Sequence, residues 1–216
     1  MAVHSRRLVL VRHGETYLNR HGRDAHLHTP AGKSEMSLTD QGRRQAEALA
    51  VSLAGHRFSA VFCSSAPRCL ETLAPFLAAG HFARESVVVH DGLLEIDNDI
   101  LVLIHHLAGT ARGPGCRPPE FGGSRVPPET AEEYAARVLS ALDEVLAVPN
   151  GDVLVVSHHG TNNTLMAMLS GSPTWEFRHQ DNTCVNVACV GADGRRLERV
   201  NCTAHLSSGV NAAVAS

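Results

Sequence analysis

Four consecutive aliphatic residues, Leu8-Val9-Leu10-Val11, run directly into Arg12-His13-Gly14. Such a run has no polar residue to turn toward water, so it predicts a short strand buried on both faces. A strand of that kind sits inside a largely parallel sheet with helices on either side, which constrains the chain to an α/β architecture. Its carboxyl end matters for function, because open α/β sheets bind ligands there. Arg12 and His13 both suit a phosphate group, Gly14 allows close backbone approach, and Asn19 follows about one helical turn later.

Strand and helix patterns alternate along the rest of the chain. Leu38-Thr39-Asp40-Gln41-Gly42 opens a helix that Thr39 or Asp40 can cap, with Ala46, Leu49, Ala50 and Leu53 on one face. Residues 58–63 read as a second strand, and Pro67 suits the first turn of a helix running to about Ala79. Val87-Val88-Val89 reads as a third strand. Residues 130–148 form an amphipathic helix with Thr130 and Glu133 as a capping box. Residues 152–156 make a fourth buried strand, followed by Ser157-His158-His159-Gly160 and a helix through Leu169. Two late strands, near 183–190 and 197–200, flank a turn at Asp193-Gly194. This order predicts one domain over residues 1–216, a three-layer α/β sandwich with a mainly parallel central sheet flanked by helices. Residues 24–37 are polar and helix-poor. Residues 98–128 form a lid-like or linker excursion, dense in Gly and Pro from Gly109 onward.

Composition narrows the functional classes. Nineteen basic residues against 22 acidic give a net charge of −3, so no bulk positive charge points to nucleic acid. The 6 cysteines show neither a CxxC pair nor a disulfide framework, and Cys63, Cys184 and Cys189 lie in apolar runs as buried small hydrophobes. The apolar stretch after Arg6-Arg7 is too short for a signal peptide, and no segment is long enough to cross a bilayer. A reducing cytoplasm fits this pattern, with no membrane or nucleic-acid partner; a homodimer is compatible with it.

Several motifs then fall in order along the chain: Arg12-His13-Gly14-Glu15-Thr16-x-x-Asn19, Leu38-Thr39-x-x-Gly42-x-x-Gln45-Ala46, Ser64-Ser65-x-x-Arg68-x-x-Glu71-Thr72, Val156-Ser157-His158-x-Gly160, and Asn201-x-x-x-His205-Leu206. Together they resemble the phosphatase branch of the histidine phosphatase superfamily, whose fold is phosphoglycerate-mutase-like. The resemblance implies a phosphohistidine formed at His13 and hydrolysed by water, a phosphoryl-binding Arg68, and His158 opposite the nucleophile. The substrate it implies is a small phosphomonoester. A phosphoglycerate-type mutase is the alternative, but it needs a second anion subsite, and no well-placed basic cluster stands out. A non-enzymatic phosphate-binding module would normally lack one of Arg12, His13, Arg68 or His158. A different reaction in a retained phosphate pocket is the remaining reading.

The chemistry explains the residue types. Arg12 and Arg68 present planar donor forks that stay cationic at any working pH. Neutral His13 has a ring nitrogen for in-line attack, and a bond to the other nitrogen would set its tautomer. His158 is expected to donate to the phosphoryl oxygens as charge develops, and Asn19 to add a polar contact. With these groups in place the reaction needs no metal and no cofactor. Protonating the leaving alcohol calls for a carboxyl group. Glu95 stands where the family carries a glutamate, but the chain continues Ile96-Asp97-Asn98-Asp99 without the family's glycine and aromatic, so Asp97 and Asp99 are substitutes. His159 either lines the pocket or turns away, and Asn163 replaces a basic residue of many relatives, which points to a different substrate tail. His105-His106 read as structural. Arg112, Arg117 and Arg125 read as solvated loop charges or substrate contacts.

Overall fold

The computed structural model describes residues 5–96, 129–171 and 178–207. The excursion at 98–128, with Asp97, Asp99, His105, His106, Arg112, Arg117 and Arg125, lies outside the described residues.

Six strands form one sheet: β1 (Arg6–Arg12), β2 (Phe58–Ser64), β3 (Val88–His90), β4 (Asp152–Ser157), β5 (Val185–Gly191) and β6 (Gly194–Cys202), in the order β3-β2-β4-β1-β5-β6. The first four in that order are parallel to one another, and β5 and β6 close the other side as an antiparallel hairpin. Among the described residues the α-helices are α1 (Tyr17–His21), α2 (Ala25–His28), α3 (Asp40–Leu53), α4 (Pro67–Ala78), α5 (Ala131–Ala147), α6 (His159–Ser170) and α7 (Ala204–Ser207).

The period-two alternation of a strand sorts the aliphatic runs into two cores. Leu8, Leu10, Phe62, Val153 and Val155 pack with Tyr134, Val138, Leu142 and Val145 of α5 and Leu165, Met166 and Leu169 of α6. Their neighbours Val9, Val11, Val61, Cys63, Leu154 and Val156 point the other way, against Leu49, Ala50 and Leu53 of α3 and Leu73 and Phe76 of α4. Each face is apolar because each is covered. This is the helix–sheet–helix sandwich expected of a strand with no polar side.

Local chemistry sets the ends of the elements. Thr39, not Asp40, caps α3, accepting from the Gly42 amide. Pro67 occupies the start of α4, and Thr130 and Glu133 close a reciprocal capping box on α5. Several details differ from the sequence expectation, the last two strands running Val185–Gly191 and Gly194–Cys202 in place of 183–190 and 197–200. The third strand is shifted to Val88–His90 and, as the sheet edge, leaves Val88 and Val89 38% and 52% exposed. The polar stretch at 24–37 holds one helical turn, α2, anchored by fully buried Ala25.

Candidate active site

Strand register brings the motifs together. Arg12 pairs with Ser157 across β1 and β4, and Cys63 pairs with Val156 across β2 and β4, so three parallel strands end level with one another. The residues just past those ends, His13, Ser64 to Arg68 and His158, converge from positions far apart in sequence. The second motif is structural. A Cβ on Gly42 would lie 2.1 Å from the Glu15 carbonyl oxygen, and one on Gly14 would lie 2.7 Å from the Gly42 carbonyl oxygen. Two backbones touch there, which only glycine permits. Thr72 of α4 accepts from the Gly14 amide at 2.9 Å and ties α4 to the same turn.

The His13 ring is only 4% exposed, and its Nδ1 lies 2.8 Å from the Gly14 carbonyl oxygen. A carbonyl only accepts, so Nδ1 carries the proton and Nε2 keeps its lone pair. Burial, with the positive charges of Arg68 and Arg12 beside it, holds His13 well below the usual imidazole range. The His158 ring stands edge-on to it, 5.3 Å between centroids. Arg68 Nε and Nη2 donate to His158 Nδ1 at 3.2 and 2.9 Å, and His158 Nε2 lies 2.8 Å from Ser64 Oγ. Burial and the Arg68 charge keep His158 neutral as well. Arg12 Nη1 donates to the Gln180 carbonyl at 2.6 Å, while its buried Nε has no partner. Burial lowers the Arg12 pKa against the opposing pull of Glu95 and Asp181. A guanidinium with an unspent donor, a second guanidinium and an imidazole with a bare lone pair are groups that could together hold an anion.

Glu95 sits at the amino end of α6. Its Oε1 accepts from the Ile96 and Thr161 amides at 3.0 and 3.2 Å, and its Oε2 from the Gly160 amide at 3.3 Å. His158, the N-cap residue, makes no side-chain cap, so Glu95 satisfies the orphan amides from outside the helix. A Cβ at Gly160 would come within 2.7 Å of Glu95 Oε1, so glycine makes room for the carboxylate. The loop carrying Glu95 is clamped by Arg137 of α5, which donates to the carbonyls of Gly92, Leu94 and Glu95 at 3.1, 2.8 and 3.0 Å, pairs with Glu129, and lies over the Tyr134 ring.

The other expected site residues divide. Asn19 is exposed, closes the capping box of α1 with Thr16, and accepts from Asn182 Nδ2 at 3.2 Å. Asn182 also donates to the His13 carbonyl, so Asn19 reaches the nucleophile's backbone through Asn182. His159 is half-buried against the Arg178 carbonyl and the His179 ring. Asn163 is buried and bonds the backbone of His159 and Arg178, a structural clamp on the 178 segment. Arg137, Gln180 and Asn182 escaped the sequence reading because no motif surrounds them; only the fold brings them to the site. Elsewhere, Arg23, His26, Lys33 and Glu35 line one open cavity of about 700 Å³ beside Leu18 of α1, a grouping invisible in their spacing. Among the described residues no three His, Cys, Asp or Glu side chains are placed to hold a metal ion, and no helix is long and apolar enough to cross a membrane.

Buried neutral histidines make stability depend on pH. Burial also lowers His205, to about 4, and the unfolded chain protonates each such histidine near pH 6.5. The unfolded state therefore takes up more protons as pH falls. The stability from neutral burial is full above about pH 6.5 and is lost progressively toward the folded values. The melting temperature of the protein should drop as pH is lowered from 7.5 to 4.5, and His205→Gln should flatten part of that slope. A melting temperature constant over the range would contradict this reading.

The chain is similar to known proteins in sequence and in fold. The sequence pattern of the histidine phosphatase superfamily (branch 1) matches residues 8–203. An uncharacterized protein of Mycobacterium tuberculosis is 31% identical over 204 residues, covering 87% of this chain and 91% of its own. The fold is similar to that of a phosphoglycerate mutase from Bacillus anthracis, with a TM-score of 0.68 at 21% identity over 96% of this chain and 97% of that one. It is also similar to a phosphoserine phosphatase from Entamoeba histolytica, with a TM-score of 0.65 at 21% identity over 93% and 98% of the two chains. With that pattern matched over residues 8–203, the chain belongs to the histidine phosphatase superfamily.

Proposed function

We propose that this protein hydrolyses a small-molecule phosphomonoester through a phosphohistidine at His13. The observation that carries the reading is the His13 Nδ1 bond to the Gly14 carbonyl, which leaves Nε2 bare in a buried ring flanked by two guanidinium groups. In the first step the Nε2 lone pair attacks phosphorus as the bond from phosphorus to the ester oxygen breaks. Arg12 and Arg68 neutralise the equatorial oxygens, where charge is spread in such a transition state. Glu95 gives the departing alcohol its proton, then takes one from the water that cleaves the phosphorus–nitrogen bond. Its Oε2, with a single 3.3 Å contact, is the oxygen left to exchange that proton. Arg23 and Lys33, which with Glu35 line an open cavity, would suit a second anionic group and are the feature that favours the mutase as a second reading. A panel of phosphomonoesters, each followed for both released phosphate and phosphoryl transfer to a second hydroxyl, tests the two readings together. Release without transfer is expected; transfer dominating release would favour the mutase.

The proton donor has its own test. Glu95→Gln should depress hydrolysis of alkyl phosphates strongly, on the order of a hundredfold, the scale of one general acid. An aryl phosphate with an acidic phenol leaves without help and should lose far less in the phosphorylation step. Asp97→Asn and Asp99→Asn belong in the same series. If either shows the leaving-group-dependent loss and Glu95→Gln does not, the acid is not Glu95.

A further inference from the structure

The hydrogen bonds around His158 have only one consistent polarity. A guanidinium has donors and no acceptor, so the contacts from Arg68 Nε and Nη2, at 3.2 and 2.9 Å, require a bare lone pair on His158 Nδ1. The neutral ring then carries its proton on Nε2, which donates to Ser64 Oγ at 2.8 Å. Ser64 Oγ is an acceptor on independent grounds, because the Ala66 amide donates to it at 3.3 Å. The other group beside Nε2, the Cys69 thiol, donates to the Ser157 carbonyl at 3.5 Å, so its sulfur, 3.6 Å from Nε2, faces that same proton. Ser64, Cys69 and His158 are all fully buried, so no solvent competes for these positions.

We infer that Ser64 is a positioning residue of the site: by accepting the Nε2 proton it locks His158 in the tautomer whose Nδ1 orients the Arg68 guanidinium. Such orientation has a physical use. A long arginine side chain loses conformational entropy when it is fixed on a ligand, and a side chain already held near its working place loses less. Arg68 is held in the free protein by a neutral acceptor, which a phosphoryl dianion outcompetes because hydrogen bonds to charged oxygens are stronger. Ser64 touches neither His13 nor the expected phosphoryl position in any hydrogen bond described. It acts through His158 and Arg68. The inference rests on the phosphatase reading for its consequence in turnover, but not for its claim about the tautomer.

Nitrogen-15 NMR of the imidazole side chains tests the claim directly in the full-length protein. The wild type should show His158 protonated at Nε2 and bare at Nδ1; a proton on Nδ1 in the absence of ligand would overturn the inference whatever any variant does. Ser64→Ala should give a mixture of tautomers at His158, weaken binding of inorganic phosphate, and lower kcat/KM about tenfold, the scale of one buried hydrogen bond. Ser64→Thr, which restores the hydroxyl, should recover the Nε2-protonated signature. A Ser64→Ala protein with an unchanged His158 tautomer and unchanged phosphate affinity would also overturn it. If no phosphomonoester is turned over by the wild type, the phosphatase reading fails, while the NMR and phosphate titrations still decide the role of Ser64.

Discussion

His13→Ala should abolish turnover, with kcat falling by on the order of 10⁴-fold or more, as expected when a covalent nucleophile is removed. A phosphorylated substrate should leave an acid-labile, base-stable label on the wild type and none on the variant. The fold should survive. The His13 side chain makes one hydrogen bond, to its own neighbour's carbonyl, and its amide still donates to Ser157 whatever the side chain. Nearly native circular dichroism with no label and no turnover is therefore the expected combination. Substantial residual activity in His13→Ala would reject the phosphohistidine mechanism, and a label retained by the variant would move the nucleophile elsewhere.

Arg68→Lys should be nearly as damaging, despite keeping the charge. A point ammonium cannot offer two coplanar donors, and Arg68 uses Nε and Nη2 together on a single acceptor. The loss in kcat/KM should correspond to about 2–4 kcal/mol, the scale of removing one preorganised donor from a developing anion. The same variant leaves His158 Nδ1, buried and neutral, without its two donors. A change in kcat/KM below about tenfold would place Arg68 outside the phosphoryl pocket.

The hydrophobic pattern made the architecture legible before any coordinates. Leu8 to Val11 and Val153 to Val156 are apolar on both faces, and a strand of that kind is stable only between two helical layers. Caps were legible for the same local reason: Thr130 with Glu133, and Pro67 at a helix start, act within one turn of chain. The edge strand was placed one residue early because a three-residue strand with a single neighbour has too few contacts to sharpen its ends.

The site was legible only in its parts. Arg12, His13, Arg68, Glu95 and His158 stand out as residue types at strand ends, and parallel register does bring those ends together. The roles of their neighbours did not show. Asn19 was expected at the phosphoryl group but closes a capping box, and Asn163 was expected to shape the substrate tail but clamps the 178 segment. His158 was expected as a plain donor, whereas its two nitrogens are taken by Arg68 and Ser64. By itself the sequence determined the layers, the strand ends and the kinds of side chain placed there, because burial and capping depend on near neighbours along the chain. Which nitrogen keeps its lone pair, what Glu95 caps, and how Arg137, Gln180 and Asn182 reach the site were decided only by tertiary structure. Hydrogen-bond polarity depends on partners that packing supplies from 40 to 170 residues away, and no local pattern records them.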